Sequence, residues 1–187
     1  MRSLYSLLSR LDSKSLSQAP ARNENNRWGQ KKSPYKPALI LAFIVGSHDK
    51  KRKKKNQFRR GIVRYDEIQP IFDEVLELIV PDISKIDTHA AVQPFWRLGA
   101  GQPKIWDLMP ADGATTDLVE AICNTNTNIV SPKKLNSLVS CAEFSTSDFE
   151  LLSDRLGATI VCRFLIGEYF RDNPNALQLL DFVSPAR

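Results

Sequence analysis

The chain has 187 residues, enough for one domain with a full hydrophobic core, and its 42% hydrophobic and 25% charged content is that of an ordinary globular protein. The net charge of +5 conceals strong polarity, because residues 27 to 64 hold thirteen of the 26 Lys and Arg but one of the 21 acidic residues, Asp49. That segment is therefore +12 and the remainder −7; such a surface attracts a polyanion, nucleic acid first, with binding that weakens steeply in salt.

Several classes fall away at once. The longest apolar run, Ala38 to Val45, is too short to cross a membrane, so no membrane association is expected. Cys123, Cys141 and Cys162 are odd in number, widely spaced and set in apolar or helical surroundings. They read as reduced core thiols of a cytoplasmic protein rather than as a disulfide or metal set. With His48 and His89 the only histidines, no zinc-site spacing exists, and neither a metal nor another cofactor is expected. There is no paired-carboxylate motif, Gly-rich phosphate loop or nucleophile elbow, so no catalytic residue is expected. His48 and His89 read as surface-loop residues. The expectation is a binding module, not an enzyme by itself.

Along the chain, Leu4, Leu7, Leu8 and Leu11 fall at helical spacing, which predicts a first helix docking on the core despite a basic, Ser-rich start that suggests a transit peptide. Residues 12–34 are polar and Pro-containing, a loop or linker. Residues 1–26 are thus an N-terminal helix and linker, and 27–187 a single domain. Pro37 suits the first turn of a helix with body Ala38 to Val45, apolar nearly all round and therefore central, which Gly46 ends. A basic loop over 49–60 carries Lys50-Lys51-Arg52-Lys53-Lys54-Lys55, which must stay solvated. Arg60 to Tyr65 reads as a short strand with Arg60 and Arg64 on one face. Asp66 caps a helix that buries Ile68, Ile71, Phe72, Val75, Leu76 and Ile79 before Pro81 stops it.

The segments Val92 to Leu98 and Lys104 to Met109 flank Gly99-Ala100-Gly101-Gln102-Pro103, which predicts a β-hairpin with Phe95 and the Trp residues on opposite faces. Helices follow at about 114–123 and 132–140, the second opened by Ser131-Pro132. Ser145 with Asp148 forms a capping box for a helix at 146–154. Gly157 to Phe170 is a last helix burying Ile160, Val161, Phe164, Leu165 and Tyr169. The expected fold is α+β and mostly helical, a winged-helix-like domain with a central aromatic β-hairpin. That is fold analogy and leaves function to the site.

The positive charge is distributed over both ordered and loop segments. Lys51, Arg52 and Lys53 lie in the solvated run, Arg60 and Arg64 on the expected strand, and Arg27, Lys31, Lys32 and Lys36 ahead of the apolar helix. Such a distribution fits a duplex phosphate surface. Ser131, Lys133 and Lys134 at a helix start are further candidates for phosphate or groove contact. Tyr35 is either core or contact.

Four segments in order carry a family resemblance: Pro34-Tyr35-Lys36-Pro37-Ala38-Leu39-Ile40-Leu41, Val63-Arg64-Tyr65-Asp66-Glu67-Ile68, Gln93-Pro94-Phe95-Trp96-Arg97-Leu98 with Ile105-Trp106-Asp107-Leu108, and Gly167-Glu168-Tyr169-Phe170. Together, over about residues 27 to 172, they resemble the sulfur-binding domain of phosphorothioate-dependent type IV restriction endonucleases, which usually precedes an HNH nuclease domain. The resemblance implies a module that binds double-stranded DNA in which sulfur replaces one non-bridging phosphate oxygen, with an HNH-type nuclease domain downstream or on a partner. It also implies a sulfur pocket built from a proline, nearby small side chains and an arginine. Pro94 matches the proline and Ala91 a small residue, while Gln93 stands where the family has tyrosine and Arg97 where a small side chain can occur. The cation facing the sulfur has several candidates: Arg27, Lys31, Lys32 and Lys36.

The chemistry is coherent. Sulfur is larger, softer and a poorer hydrogen-bond acceptor than oxygen, so a cavity edged by CH groups beside a cation accepts it readily. An oxygen placed there loses hydration without a matching donor, at about 2 kcal/mol or more. Two rival readings use the same residues. One is a winged-helix-like regulator or RNA binder that stacks bases on the hairpin aromatics; the other is an interaction domain whose lysine run sets localisation.

Overall fold

The computed structural model describes residues 2–12, 33–49, 57–80, 89–125 and 127–183. Helix α1 (Arg2–Leu11) docks as its leucine spacing requires, with Leu7 and Leu11 in the core. Two polar contacts fix it from outside. Arg10 pairs with Asp148 at 2.6 Å, and the Tyr169 hydroxyl donates to the Leu11 carbonyl at 2.8 Å.

Helix α2 (Tyr35–His48) is the centre of the molecule, buried from Pro37 through Gly46. Pro37 sits in its first turn, where no intrahelical N–H is lost. Gly46 does not end it, contrary to expectation. A Cβ there would lie 2.5 Å from the Phe58 ring and 2.7 Å from Ile71 Cδ1, so the glycine exists for close packing. His48 is also corrected: it is buried, and its Nε2 donates to the Leu152 carbonyl at 2.8 Å.

A single 3₁₀ turn, Gln57–Arg60, leads through Gly61 (φ 75°) into strand β1 (Ile62–Val63). The strand is shorter than predicted. Arg64 is already the N-cap of α3 (Tyr65–Ile79), and Asp66 lies inside the first turn rather than capping it. Arg60 and Arg64 therefore do not share a strand face. All six apolar positions predicted for this helix are buried, and α2 packs most extensively against it.

The expected hairpin is replaced by a helix and a strand. Val92–Ala100 forms α4, and Asp107–Pro110 forms β2, which pairs with β3 (Val139–Glu143). Val92, Phe95, Trp96 and Gly99 fall at helical spacing and all are buried, so the 3.6-residue period governs the segment. Gly99 is a contact surface, not a turn, since a Cβ there would meet Leu108 Cγ at 2.5 Å. The chain folds back along the helix, with Ile105 N–H donating to the Leu98 carbonyl and the Trp106 indole to the Phe95 carbonyl at 3.1 Å. Phe95, Trp96 and Trp106 are each at most 1% exposed. Edge and tilted ring contacts run Tyr65–Phe95–Trp106–Phe144–Phe43, which makes the aromatics the spine of the core.

Helix α5 (Thr116–Asn124) and the short α6 (Pro132–Asn136) follow. Ser131 caps α6 as predicted, accepting from Lys134 N–H at 3.3 Å, but the helix stops at Asn136 and the chain becomes β3. The antiparallel sheet has the order β1-β3-β2. Helix α7 (Thr146–Ser153) carries the predicted capping pair: Ser145 Oγ accepts from Asp148 N–H and donates to its carboxylate at 2.8 Å. Helix α8 (Arg155–Tyr169), capped by Asp154, then a 3₁₀ turn and α9 (Leu180–Val183) close the core. The fold is α+β and mostly helical with a small antiparallel sheet.

Among the described residues, no helix is long and apolar enough to cross a membrane. All three cysteines are unbridged; Cys162 lies in the core, where burial pushes its thiol up to about 12.

Candidate nucleic-acid interface

Helices α2 and α4 pack against each other, and their first turns carry the two motif segments containing Lys36-Pro37 and Gln93-Pro94. Helical geometry gathers the residues that the sequence associated with a sulfur pocket. Ala91 and Pro94, and Pro94 and Arg97, are i,i+3 neighbours, and Gln93 and Arg97 are i,i+4 neighbours. A strand would have set Pro94 on the opposite face from Ala91, Gln93 and Arg97. The helix instead aligns Ala91, Pro94 and Arg97 along one ridge. Ala91 and Pro94 are buried, whereas Gln93 and Arg97 are half-buried.

Both half-buried side chains reach the segment after α5. Gln93 Nε2 donates to the Ile129 carbonyl at 2.6 Å, and an Arg97 guanidinium N–H donates to Asn128 Oδ1 at 2.5 Å. Ile129 plugs into the core between exposed Asn128 and Val130. The 127–131 segment is therefore tied to α4 at two polar points and one apolar one, and it continues into exposed Lys133 and Lys134.

Lys36 completes the group from α2. Its ammonium is half-buried and held below the ordinary lysine value, first by burial and then by the Arg97 guanidinium. The two cations thus disfavour each other's charge, and an anion near both would lower the energy of each. Lys104 and Arg97 both act on Cys123, whose thiol is nevertheless raised because burial dominates. Lys104 also lies 3.9 Å from Asp107. The charges of Lys36 and Lys104 are thus each linked to α4, Lys36 acting with Arg97 and Lys104 with Arg97 on Cys123.

The remaining candidates divide. Tyr35 is half-buried, with its ring 6.4 Å from Phe72, which gives it a packing role. Arg60 and Arg64 are exposed at the 3₁₀ turn and the α3 N-cap, where the charge of Arg64 also acts on Glu67. Arg27, Lys31, Lys32, Lys51, Arg52 and Lys53 lie outside the described residues.

Lys104 was missed in the sequence, and Asn128 and Val130 were covered only as part of the 124–134 region expected to contribute base contacts, without being singled out. The run Asn124-Thr125-Asn126-Thr127-Asn128 signals a loop, but only the helical form of 92–100 shows which side chains grip it. Among the described residues, no group of three His, Cys, Asp or Glu could hold a metal ion. No family model, curated protein or solved structure matches the chain.

Proposed function

We propose that this chain is a non-catalytic binding module for double-stranded DNA carrying a phosphorothioate linkage, the sensor of a modification-dependent restriction system whose HNH-type nuclease lies on another domain or chain. The observation that carries the reading is that the Lys-Pro helix packs on α4, where the charge of Arg97, at the end of the Ala91–Pro94–Arg97 ridge, acts on Lys36. Lys36 and Arg97 supply the charge for a diester. Ala91 is wholly buried and backs the ridge, so the CH surface that a polarisable sulfur tolerates and a hydrated oxygen does not is the outer edge of the Pro94 ring with the Arg97 methylenes. Lys133, Lys134, Arg60 and Arg64, with the basic runs around Lys31 and Lys51, extend the phosphate contacts and contribute affinity without base preference.

The rival readings are weaker. Base stacking on Phe95, Trp96 or Trp106 has no exposed ring to use, and the residues expected to form a wing are helical. A localisation role for the lysine run alone leaves the Lys36–Arg97 junction without a purpose. Competition between modified duplex, unmodified duplex and single-stranded RNA over a salt series tests the proposal. Modified duplex should win at every salt concentration, while all three affinities fall as salt rises. Equal affinity for modified and unmodified duplex would end the sulfur reading, and preference for RNA would favour the rival.

A further inference from the structure

The 127–131 segment has a property that phosphate binding does not use. Val130 is 73% exposed, a β-branched apolar side chain standing between core-bound Ile129 and the cap Ser131. Single exposed apolar residues are common and mean little by themselves. Here the backbone beneath the side chain is fixed on both sides. Gln93 holds the Ile129 carbonyl at 2.6 Å, Arg97 holds Asn128, and Ser131 accepts from Lys134 N–H. The same Arg97 is the α4 cation assigned to the phosphate in the proposed function. An element joined rigidly to the phosphate-binding group would hold Val130 at a constant offset from the bound linkage, because phosphate contacts set register and orientation.

The one apolar group that a base edge offers in a groove is the thymine methyl, in the major groove. We infer that Val130 is a specificity residue that packs on a thymine methyl group next to the phosphate assigned to Lys36 and Arg97. This rests on the DNA-binding reading above and adds to it a preference for bases.

The test is binding of the full chain to modified duplexes in which each thymine near the linkage is replaced, one at a time, by deoxyuridine, which lacks only the methyl group. For the wild-type chain one position should lose about fourfold in affinity, the worth of one buried methyl group. Val130→Ala should abolish that dependence, and Val130→Ile should keep it. Both variants should keep the preference for modified over unmodified duplex, and neither should disturb folding, since the side chain is exposed. A wild-type chain indifferent to every methyl group, or an undiminished methyl dependence in Val130→Ala, would overturn the inference while leaving sulfur recognition intact. Failure of the wild-type chain to prefer modified duplex would instead remove the proposed function and this inference with it.

Discussion

Helices α2 and α4 are built alike and used differently. Each carries a proline at its third position, Pro37 and Pro94, and each contributes a phenylalanine to the aromatic spine. Helix α2 is buried on all sides over ten consecutive residues, and polar side chains remain only near its ends. Helix α4 buries Val92, Pro94, Phe95, Trp96, Leu98 and Gly99 but keeps Gln93 and Arg97 on one stripe. The first helix has a purely structural body. The second presents polar groups from a fully packed element, and that is how a binding group is held to a fixed geometry. The difference lies in two side chains four residues apart.

The largest expected effects concern what the helices share. Phe43→Ala in α2 and Phe95→Ala in α4 should each cost about 3–5 kcal/mol of stability, read as a lower denaturation midpoint at unchanged slope. If Phe95→Ala costs under about 1 kcal/mol, α4 is not part of the core and the comparison fails.

The next test separates the helices. Arg97→Ala should weaken DNA binding about tenfold or more and make the plot of log affinity against log salt shallower by about one unit, as for a lost phosphate contact. Stability should change by less than about 1 kcal/mol, because the side chain is half-buried and outside the core. A large stability loss with unchanged salt dependence would make Arg97 a structural clasp for the 128–129 segment alone.

A smaller effect tests the junction between the helices. The Lys36 pKa is lowered from 10.5 in the folded chain, so the unfolded chain binds more protons at pH values between the two. Stability should therefore rise with pH through that window, and below it the charged ammonium costs the fold. Lys36→Met should flatten this rise, stabilise the fold slightly near neutral pH and weaken DNA binding. DNA affinity of the wild type should also fall with alkaline pH earlier than that of Lys36→Arg, whose charge persists. Identical pH profiles for the two proteins would separate Lys36 from the bound phosphate.

Helix α2 was legible because eight apolar residues in a row after Pro37 leave no other arrangement, and α3 because six apolar positions repeat over four turns. The caps at Ser131 and Ser145 were legible because capping is local chemistry. Helix α4 was not, since nine residues rich in aromatics and followed by glycines fit either period, and tertiary packing on Leu108 and Trp106 decides. Strand β3 was read as the tail of a helix for the same reason: its partners β1 and β2 are distant in sequence. The error concerned the site as well. Pro94 and Arg97 were named from a family resemblance, yet their adjacency exists only on a helix.

The measurement that bears most directly on sulfur recognition is a titration of the wild-type chain and Pro94→Ala with stereopure modified duplexes of both configurations and with unmodified duplex, at one salt concentration. If the α4 ridge is the sulfur site, one configuration turns the sulfur toward it, so the wild type should bind one diastereomer more tightly than the other and than unmodified DNA. Pro94→Ala, with its fold verified by circular dichroism, should lose about five- to tenfold for that diastereomer, on the order of 1 kcal/mol of apolar contact, and almost nothing for unmodified duplex. Equal wild-type affinity for all three duplexes, or equal losses on all three in Pro94→Ala, would contradict the assignment of the α4 ridge as the sulfur site.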